Sequence, residues 1–436
     1  MSNCDQNFRQ LIELIKPNRL RGSTRGGVSL LQETESDKGR VLNSPSFRRL
    51  QQKTQVFPLE PNAAVRTRLT HTIEVSQIGR FLTQQVIEKC ANKNFSYEEL
   101  ASFANIVEAA CLLHDIGNPP FGHLGESAIK EWATVNNQCA DLREFDGNPQ
   151  GFRLMSYLQG EDGFGLNLTS SLLLSTVKYP WCVDSRDKSA KSKKIGVFNS
   201  DWHTYSAAAQ QVSWQVGKKF PFAQLMEAAD DIAYSMSDLE DGVEKGVIRL
   251  EDIQEVFDGP WDKNGAVDPF VAFKTNTIRE AVAEAAIVFV DNLGRILDGK
   301  TVELVDSSNP KGEVISKVKI FALDKIYSHS SAEILEISGR NIIASLLGQY
   351  ENLLTLDAES FEILVSDDKK EARKKNLDYQ IRLFRRLPRK YKRRYKDEKR
   401  GSEEERRAHL FVDFLAGMTD DYALEMHQVF GGIKIK

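Results

Sequence analysis

A chain of 436 residues is long enough for one large core or for two to three domains. With 41% hydrophobic and 28% charged residues it has the balance of a globular protein rather than a disordered or fibrous one, and a formal net charge of -4 argues against a protein devoted mainly to nucleic acid while leaving room for a local basic groove. No run of about 18 apolar residues occurs, so no membrane span is expected; the N-terminus lacks a basic-then-apolar signal pattern, and five scattered cysteines suit a reducing compartment, read here as the cytoplasm, better than a disulfide framework.

In chain order, residues 8–16 can form a short amphipathic helix. Residues 18–44, rich in Arg, Gly and Ser, read as a loop or arm whose arginines (Arg19, Arg21, Arg25, Arg40) face solvent or meet phosphate. Ser44 as a cap and Pro45 at the first position start a short helix that ends before Pro58. His71, Val75, Ile78, Leu82 and Val86 share one face of a long helix over 67–89, with Thr67 or Thr70 as its cap. Phe103, Ile106, Val107, Ala110 and His114 recur at three- and four-residue steps and define the next helix. Gly117, Asn118, Pro119, Pro120 and Gly122 end it in a sharp turn, and a new helix starts near Gly125.

Residues 125–159 give one or two further helices, broken at the loop EFDGNPQG, and 181–194 read as an exposed basic insertion. Residues 221–240 are helical, with Pro221 at the start and Gly242 beyond the end. Residues 275–297 and 326–364 also read as helices. Between them VELV (302–305) and VISKVKIFA (314–322) are expected to pair as a small β-hairpin. The basic stretch 369–400 is either a solvated face or a surface for phosphate, with Tyr379, Tyr391 and Tyr395 interleaved to stack on bases. A final amphipathic helix over 406–430 returns to the body. The expected architecture is mainly α: an arm and lining helix (1–66), a helical core (67–245), and a mainly helical C-terminal region (246–436) carrying the hairpin and additional helices.

Four residues stand out chemically. His71 lies on an apolar helix face, His114 and Asp115 end the next helix, and Asp230 lies in EAADDIAY. A buried aspartate needs a partner, and a cation is one way to supply it. Two imidazoles and two carboxylates brought together by three helices would hold one divalent ion, with Mn, Fe, Co, Ni or Zn suited better than Ca. His123 and Glu126, three residues apart, form either a pair tuned for general acid–base work or a surface salt bridge. Tyr234 and Asp238, one and two turns beyond Asp230, can face the same cavity; Lys178 and Tyr179 end a helix at its mouth or simply end a helix.

The order His71, His114–Asp115, Asp230 resembles that of the HD-domain metal-dependent phosphohydrolases. SPSFRRLQQKTQVFPLEPNAAVRTRLTHTIEV, CLLHDIGNPPFGHLGESAIKEW, GNPQGFRL, KYP, EAADDIAYSMSDLED and DFLAGMTDDYAL resemble, more narrowly, the bacterial deoxyguanosinetriphosphate triphosphohydrolase (dNTPase) family. The resemblance is dense over 17–245, returns at 406–426 and is faint between. It implies an HD-domain core and hydrolysis of a dNTP, with dGTP preferred, to the deoxynucleoside and inorganic triphosphate. It implies His71, His114, Asp115 and Asp230 as ligands of one divalent transition metal, Mn foremost, with Mg travelling with the substrate, and His123 and Glu126 as the catalytic pair. Gln55, Asn148, Lys178, Tyr179, Lys194, Tyr234 and Asp238 would contact the nucleotide, Gln55 at the sugar and its 3′-hydroxyl, Tyr234 where a 2′-hydroxyl would sit. It further implies a homo-oligomer, a hexamer in the dGTP-preferring branch, with single-stranded DNA or a dNTP effector as partner for the basic segment. An HD phosphohydrolase of another nucleotide class, or a regulatory nucleic-acid-binding protein with a degenerate site, are the competing readings.

Overall fold

The computed structural model describes residues 3–22, 27–91, 94–136, 138–186, 192–257 and 267–434. In chain order its α-helices are α1 (Asn3–Glu13), α2 (Leu30–Leu42), α3 (Pro45–Arg49), α4 (Arg68–Cys90), α5 (Tyr97–Leu113), α6 (Gly122–Val135), α7 (Ala140–Arg143), α8 (Gly147–Arg153), α9 (Ser170–Ser175), α10 (Trp202–Gln211) and α11 (Pro221–Glu244). After them come α12 (Leu250–Val256), α13 (Pro269–Asp291), α14 (Leu293–Leu297), α15 (Pro310–Ala322), α16 (Ser330–Leu354), α17 (Ala358–Ser366), α18 (Lys369–Lys374), α19 (Asp378–Arg385), α20 (Arg389–Asp397), α21 (Glu403–Ala416) and α22 (Asp420–Phe430). Single π-helical turns occupy Leu154–Leu158 and Leu323–Tyr327.

Local chemistry fixes the helix starts. The Ser44 side chain accepts the Phe47 amide with Pro45 at the first position, and Thr67 and Thr70 form a reciprocal box that opens α4. Ser96 and Glu99 do the same for α5. The apolar face of α4 packs on α5, α11 and α13, and α2 covers α5. Val75, Leu82, Phe103, Val107 and Met226 lie in this first core. A second core forms where α16 lies on α6, α21 and α22, around Ile129, Ile343, Leu346, Tyr350 and Phe411.

The expected β-hairpin is absent: among the described residues there is no strand, only two isolated bridges, Arg19 with Thr169 and Thr54 with Thr67. The stretch 314–322 lies within α15, which Pro310 opens. Its β-branched residues mislead because their spacing is helical: Ile315, Val318 and Ala322 are buried while Ile320 faces solvent. Residues 302–305 are irregular.

Other boundaries move. Much of the expected arm is α2, opened by a reciprocal cap between Ser29 and Gln32. Arg19 is buried, its guanidinium bonded to Glu33 at 2.6 and 2.8 Å and to Asp37 at 2.5 Å; Arg40 is half-buried and donates to the Leu166 carbonyl. Arg25 lies outside the described residues. The GNPQG stretch is helical, as α8, capped by Asp146. In the basic insertion Cys182 is buried, and 187–191 lie outside the described residues. Gly242 sits inside α11, where a Cβ would come within 2.8 Å of Ile326 Cδ1, the tip of a side chain on the second π turn. The final helix is two, α21 and α22, separated at Gly417–Thr419. Of the interleaved tyrosines, Tyr391 is buried against the second core and only Tyr379 is well exposed.

Candidate active site

Three helices deliver the polar cluster. His71 lies one turn into α4, His114 and Asp115 follow the last turn of α5, and Asp230 sits mid-way along α11. The Nε2 atoms of His71 and His114 each lie 3.3 Å from Asp230 Oδ1, and His114 Nε2 is 3.6 Å from Asp115 Oδ1. Ligand atoms of His71, His114 and Asp115 all fall within 4.8 Å of one another, a grouping able to hold a metal ion.

The surroundings orient these donors. His114 Nδ1 donates to the Cys111 carbonyl at 2.8 Å, which turns Nε2, buried and without a hydrogen-bond partner, towards the two carboxylates. Arg68 donates to Asp115 Oδ2 at 2.5 Å, Asn118 donates to its Oδ1, and Lys178 donates to Asp230 Oδ2 at 2.6 Å. Burial alone would raise the Asp115 and Asp230 carboxyls. For Asp115 the charges of His114 and Arg68, and for Asp230 those of Lys178 and His114, hold them below the usual carboxylate range. Two ionised carboxylates and the Nε2 atoms of two imidazoles gathered together are a donor set that fits a divalent cation.

Next to the cluster opens a cleft of about 600 Å³. It is lined by Gln55, His114, Asp115, His123, Glu126, Asn148, Lys178, Tyr179, Lys194, Asp230 and Tyr234; His71 and Asp238 are buried behind its wall. The sequence-predicted residues therefore converge. His123 is 78% exposed, its Nδ1 3.1 Å from Glu126 Oε2, while the buried Glu126 accepts the Gly147 amide on its other oxygen at 2.8 Å. This pair is anchored on one side and free on the other, unlike a surface salt bridge. Gln55 Oε1 is buried with no protein partner. Asn148 donates to Asp146, and Lys194 Nζ lies 3.3 Å from the other Asp146 oxygen.

Sequence reasoning missed Tyr327, Glu336 and Arg68, which also line the cleft. Tyr327, on the second π turn, donates to Asp238, shares a short hydrogen bond with the Tyr234 hydroxyl and stacks on the Tyr234 ring. Burial, opposed by the Tyr327 bond, pushes the Asp238 carboxyl up to about 7. Arg68 stands one turn before His71, a spacing that could have flagged it; Tyr327 and Glu336 carry no such signal. A more apolar cavity of about 470 Å³, between Trp202, Tyr391 and His409, contains none of these residues.

The helical core, with a His, a His–Asp doublet and a distant Asp gathered in one cleft, is the arrangement of an HD-domain phosphohydrolase. The HD domain family matches residues 68–145, and the phosphohydrolase-associated domain family matches 377–429. The deoxyguanosinetriphosphate triphosphohydrolase of Klebsiella pneumoniae (strain 342) is 32% identical over 480 residues, 92% of this chain and 94% of that protein. The protein of that name from Yersinia pestis (strain Pestoides F) is 32% identical over 514 residues, 98% of this chain and 99% of its own. The chain belongs to the bacterial deoxyguanosinetriphosphate triphosphohydrolase family, and it is a metal-dependent HD-domain hydrolase acting on a nucleotide. Among the described residues no helix is long and apolar enough to cross a membrane.

Proposed function

We propose that this protein hydrolyses a deoxynucleoside triphosphate, dGTP before the others, to the deoxynucleoside and inorganic triphosphate. The observation that carries the reading is one cleft lined by His114, Asp115 and Asp230, with His71 buried against them, by the exposed His123 on its buried Glu126, and by the lysines Lys178 and Lys194. His71, His114, Asp115 and Asp230 would hold a divalent transition metal, Mn first, with Fe, Co, Ni and Zn as alternatives and Mg accompanying the substrate. Such an ion, when bound, supplies Lewis acidity that activates water and polarises a phosphoryl oxygen.

The remaining chemistry falls to the chain's own side chains. Attack at the α-phosphorus breaks its bond to the 5′-oxygen and releases triphosphate intact. His123, which lines the cleft with Nδ1 against Glu126, can protonate the departing 5′-oxygen or guide the attacking water. Lys178 and Lys194 offset the triphosphate charge. Gln55 reads the sugar and its 3′-hydroxyl, Asn148 and Tyr179 complete the nucleotide contacts, Asp238 acts from behind the wall through Tyr327 and Tyr234, and Tyr234 lies along the deoxyribose, leaving little room for a 2′-hydroxyl. Glu336 offers two acceptors in the cleft, and guanine is the base with adjacent N1–H and N2–H donors to meet them. The reading extends to a cytoplasmic homo-oligomer, a hexamer, with single-stranded DNA or a dNTP effector on the basic segment 369–400.

The test is a panel of the four dNTPs and GTP with Mn, with and without single-stranded DNA, and with products identified. Deoxyguanosine plus triphosphate is expected; pyrophosphate or orthophosphate as the first product rejects the reading.

A further inference from the structure

The C-terminal turn between α21 and α22 reaches the cleft without lining it. Asp420, the first residue of α22, is 2% exposed. A carboxylate so buried needs compensation, and it finds it in two distant segments. One oxygen accepts the Thr54 amide at 3.0 Å together with the Thr54 hydroxyl; the other accepts the Phe121 amide at 3.0 Å. The same two segments are tied to this turn again. Lys53 Nζ donates to the Ala416 carbonyl at 2.8 Å and to the Asn118 carbonyl, and Arg49 donates to the Gly417 carbonyl at 2.7 Å.

What hangs on each segment gives the bonds their meaning. Gln55, with its unpartnered amide oxygen in the cleft, directly follows Thr54. Phe121 caps α6 in a left-handed conformation, φ 60°, unfavourable for an aromatic residue, and His123 follows two positions later. The Phe121 ring lies so close to Gly339 that a Cβ there would come within 2.4 Å of it. Asp420 thus pins, through one carboxylate, the segment that carries Gln55 and the strained turn that aims His123.

We propose that Asp420 is a positioning residue that sets Gln55 and His123 in register with each other. The proposal rests on the roles given to those two residues above. Asp420→Asn keeps the shape but replaces one acceptor oxygen with a donor amide, so one of the two segments loses its bond. The expected result is a 10- to 100-fold fall in kcat/KM for dGTP, with the manganese-dependent rise in Tm kept, since Asp420 touches no member of the metal cluster. A purely structural role would multiply with other lesions. A positioning role does not: in Gln55→Ala and in His123→Ala backgrounds the Asp420→Asn penalty should shrink at least threefold, its KM part in the former and its kcat part in the latter. Thr54→Val, which removes only the hydroxyl donor on the Gln55 side, gives the cycle with Gln55→Ala should Asp420→Asn fail to fold, its penalty again expected to shrink at least threefold. Undiminished penalties in both backgrounds, or wild-type kcat/KM in Asp420→Asn, overturn the proposal. Wild-type protein inactive on every dNTP, or His123→Ala at the wild-type rate, instead overturns the functional reading.

Discussion

If His71 and His114 share one cation with Asp115 and Asp230, metal should stabilise the fold, and either histidine should be needed for it. The distances allow this to be worked through. With metal–ligand bonds of about 2.1 Å, neighbouring ligand atoms lie about 3.0 Å apart in an octahedron and about 3.4 Å apart in a tetrahedron. The spacings here, 3.3 Å from Asp230 Oδ1 to each histidine Nε2 and 3.6 Å from His114 Nε2 to Asp115 Oδ1, are close to those edges, while the His71, His114 and Asp115 ligand atoms spread over as much as 4.8 Å, so an ion would draw the group in.

A ligand that binds only the folded state at 100 times its Kd stabilises by about 2.7 kcal/mol. Unfolding entropy of about 2.1 cal/mol/K per residue over 436 residues makes that about 3 °C in Tm, if the chain melts as one unit. Weakening the site 100-fold leaves about 0.4 kcal/mol, a shift under about 0.5 °C. The assay is scanning calorimetry of chelator-stripped protein with and without manganese, wild type against His71→Ala and His114→Ala, each compared with its own metal-free Tm. A wild-type shift surviving in either variant would refute the shared site, because the ion would then sit elsewhere.

Three further outcomes follow from other parts of the structure. His123→Ala should lower kcat for dGTP by roughly 10²- to 10⁴-fold in steady-state assays while the manganese-dependent Tm shift stays, since His123 contacts Glu126 and not the metal cluster. Arg153→Met should cost about 3–5 kcal/mol in denaturant unfolding, because it strands the buried carboxylates of Asp413 and Asp201, now 3.0 and 3.2 Å from the guanidinium; a loss under about 1 kcal/mol would contradict that pairing. Burial and Arg153 pull the His409 imidazole down, yet Asp141 and Cys139 carry it up to about 10. A histidine raised on folding stabilises fully below about pH 6.5 and loses that contribution as pH climbs towards 10, by up to about 1.4 kcal/mol per pH unit, so wild type should fall more steeply over that window than His409→Gln.

How far the sequence could be read depended on whether a residue's partners lay on periodic helices. His71, His114 and Asp230 were legible because α4, α5 and α11 announce themselves through apolar recurrence and serine, threonine or proline starts. The turn after Asp115 was legible through its glycines and prolines. Composition misled where periodicity should have ruled: Val314, Ile315, Val318 and Ile320 favour strands by type but are spaced for the helix they form. Arg19 read as an exposed arm residue because Glu33 and Asp37, which neutralise it, lie in α2, a helix whose Ser29–Gln32 start was hidden in a polar stretch.

Apart from Arg68, the part of the cleft that stayed dark comes from beyond residue 320. Tyr327 stands on a π turn, which has no 3.6-residue signature, and it meets Asp238 across a packing in which Ile326 of the same turn rests on Gly242 of α11. Read alone, Gly242 pointed to a helix end; it packs instead against a side chain more than eighty residues away, and one sequence holds no trace of such a pairing. Asp420 is the same case. An aspartate after a threonine reads as helix-start chemistry, and Thr419 is indeed the cap, but the Asp420 carboxylate serves Thr54 and Phe121 instead. Local rules thus account for where each functional side chain sits on its own helix, while the distances between them are set by buried polar bonds such as these, and those bonds are where substitutions outside the cleft should alter the reaction.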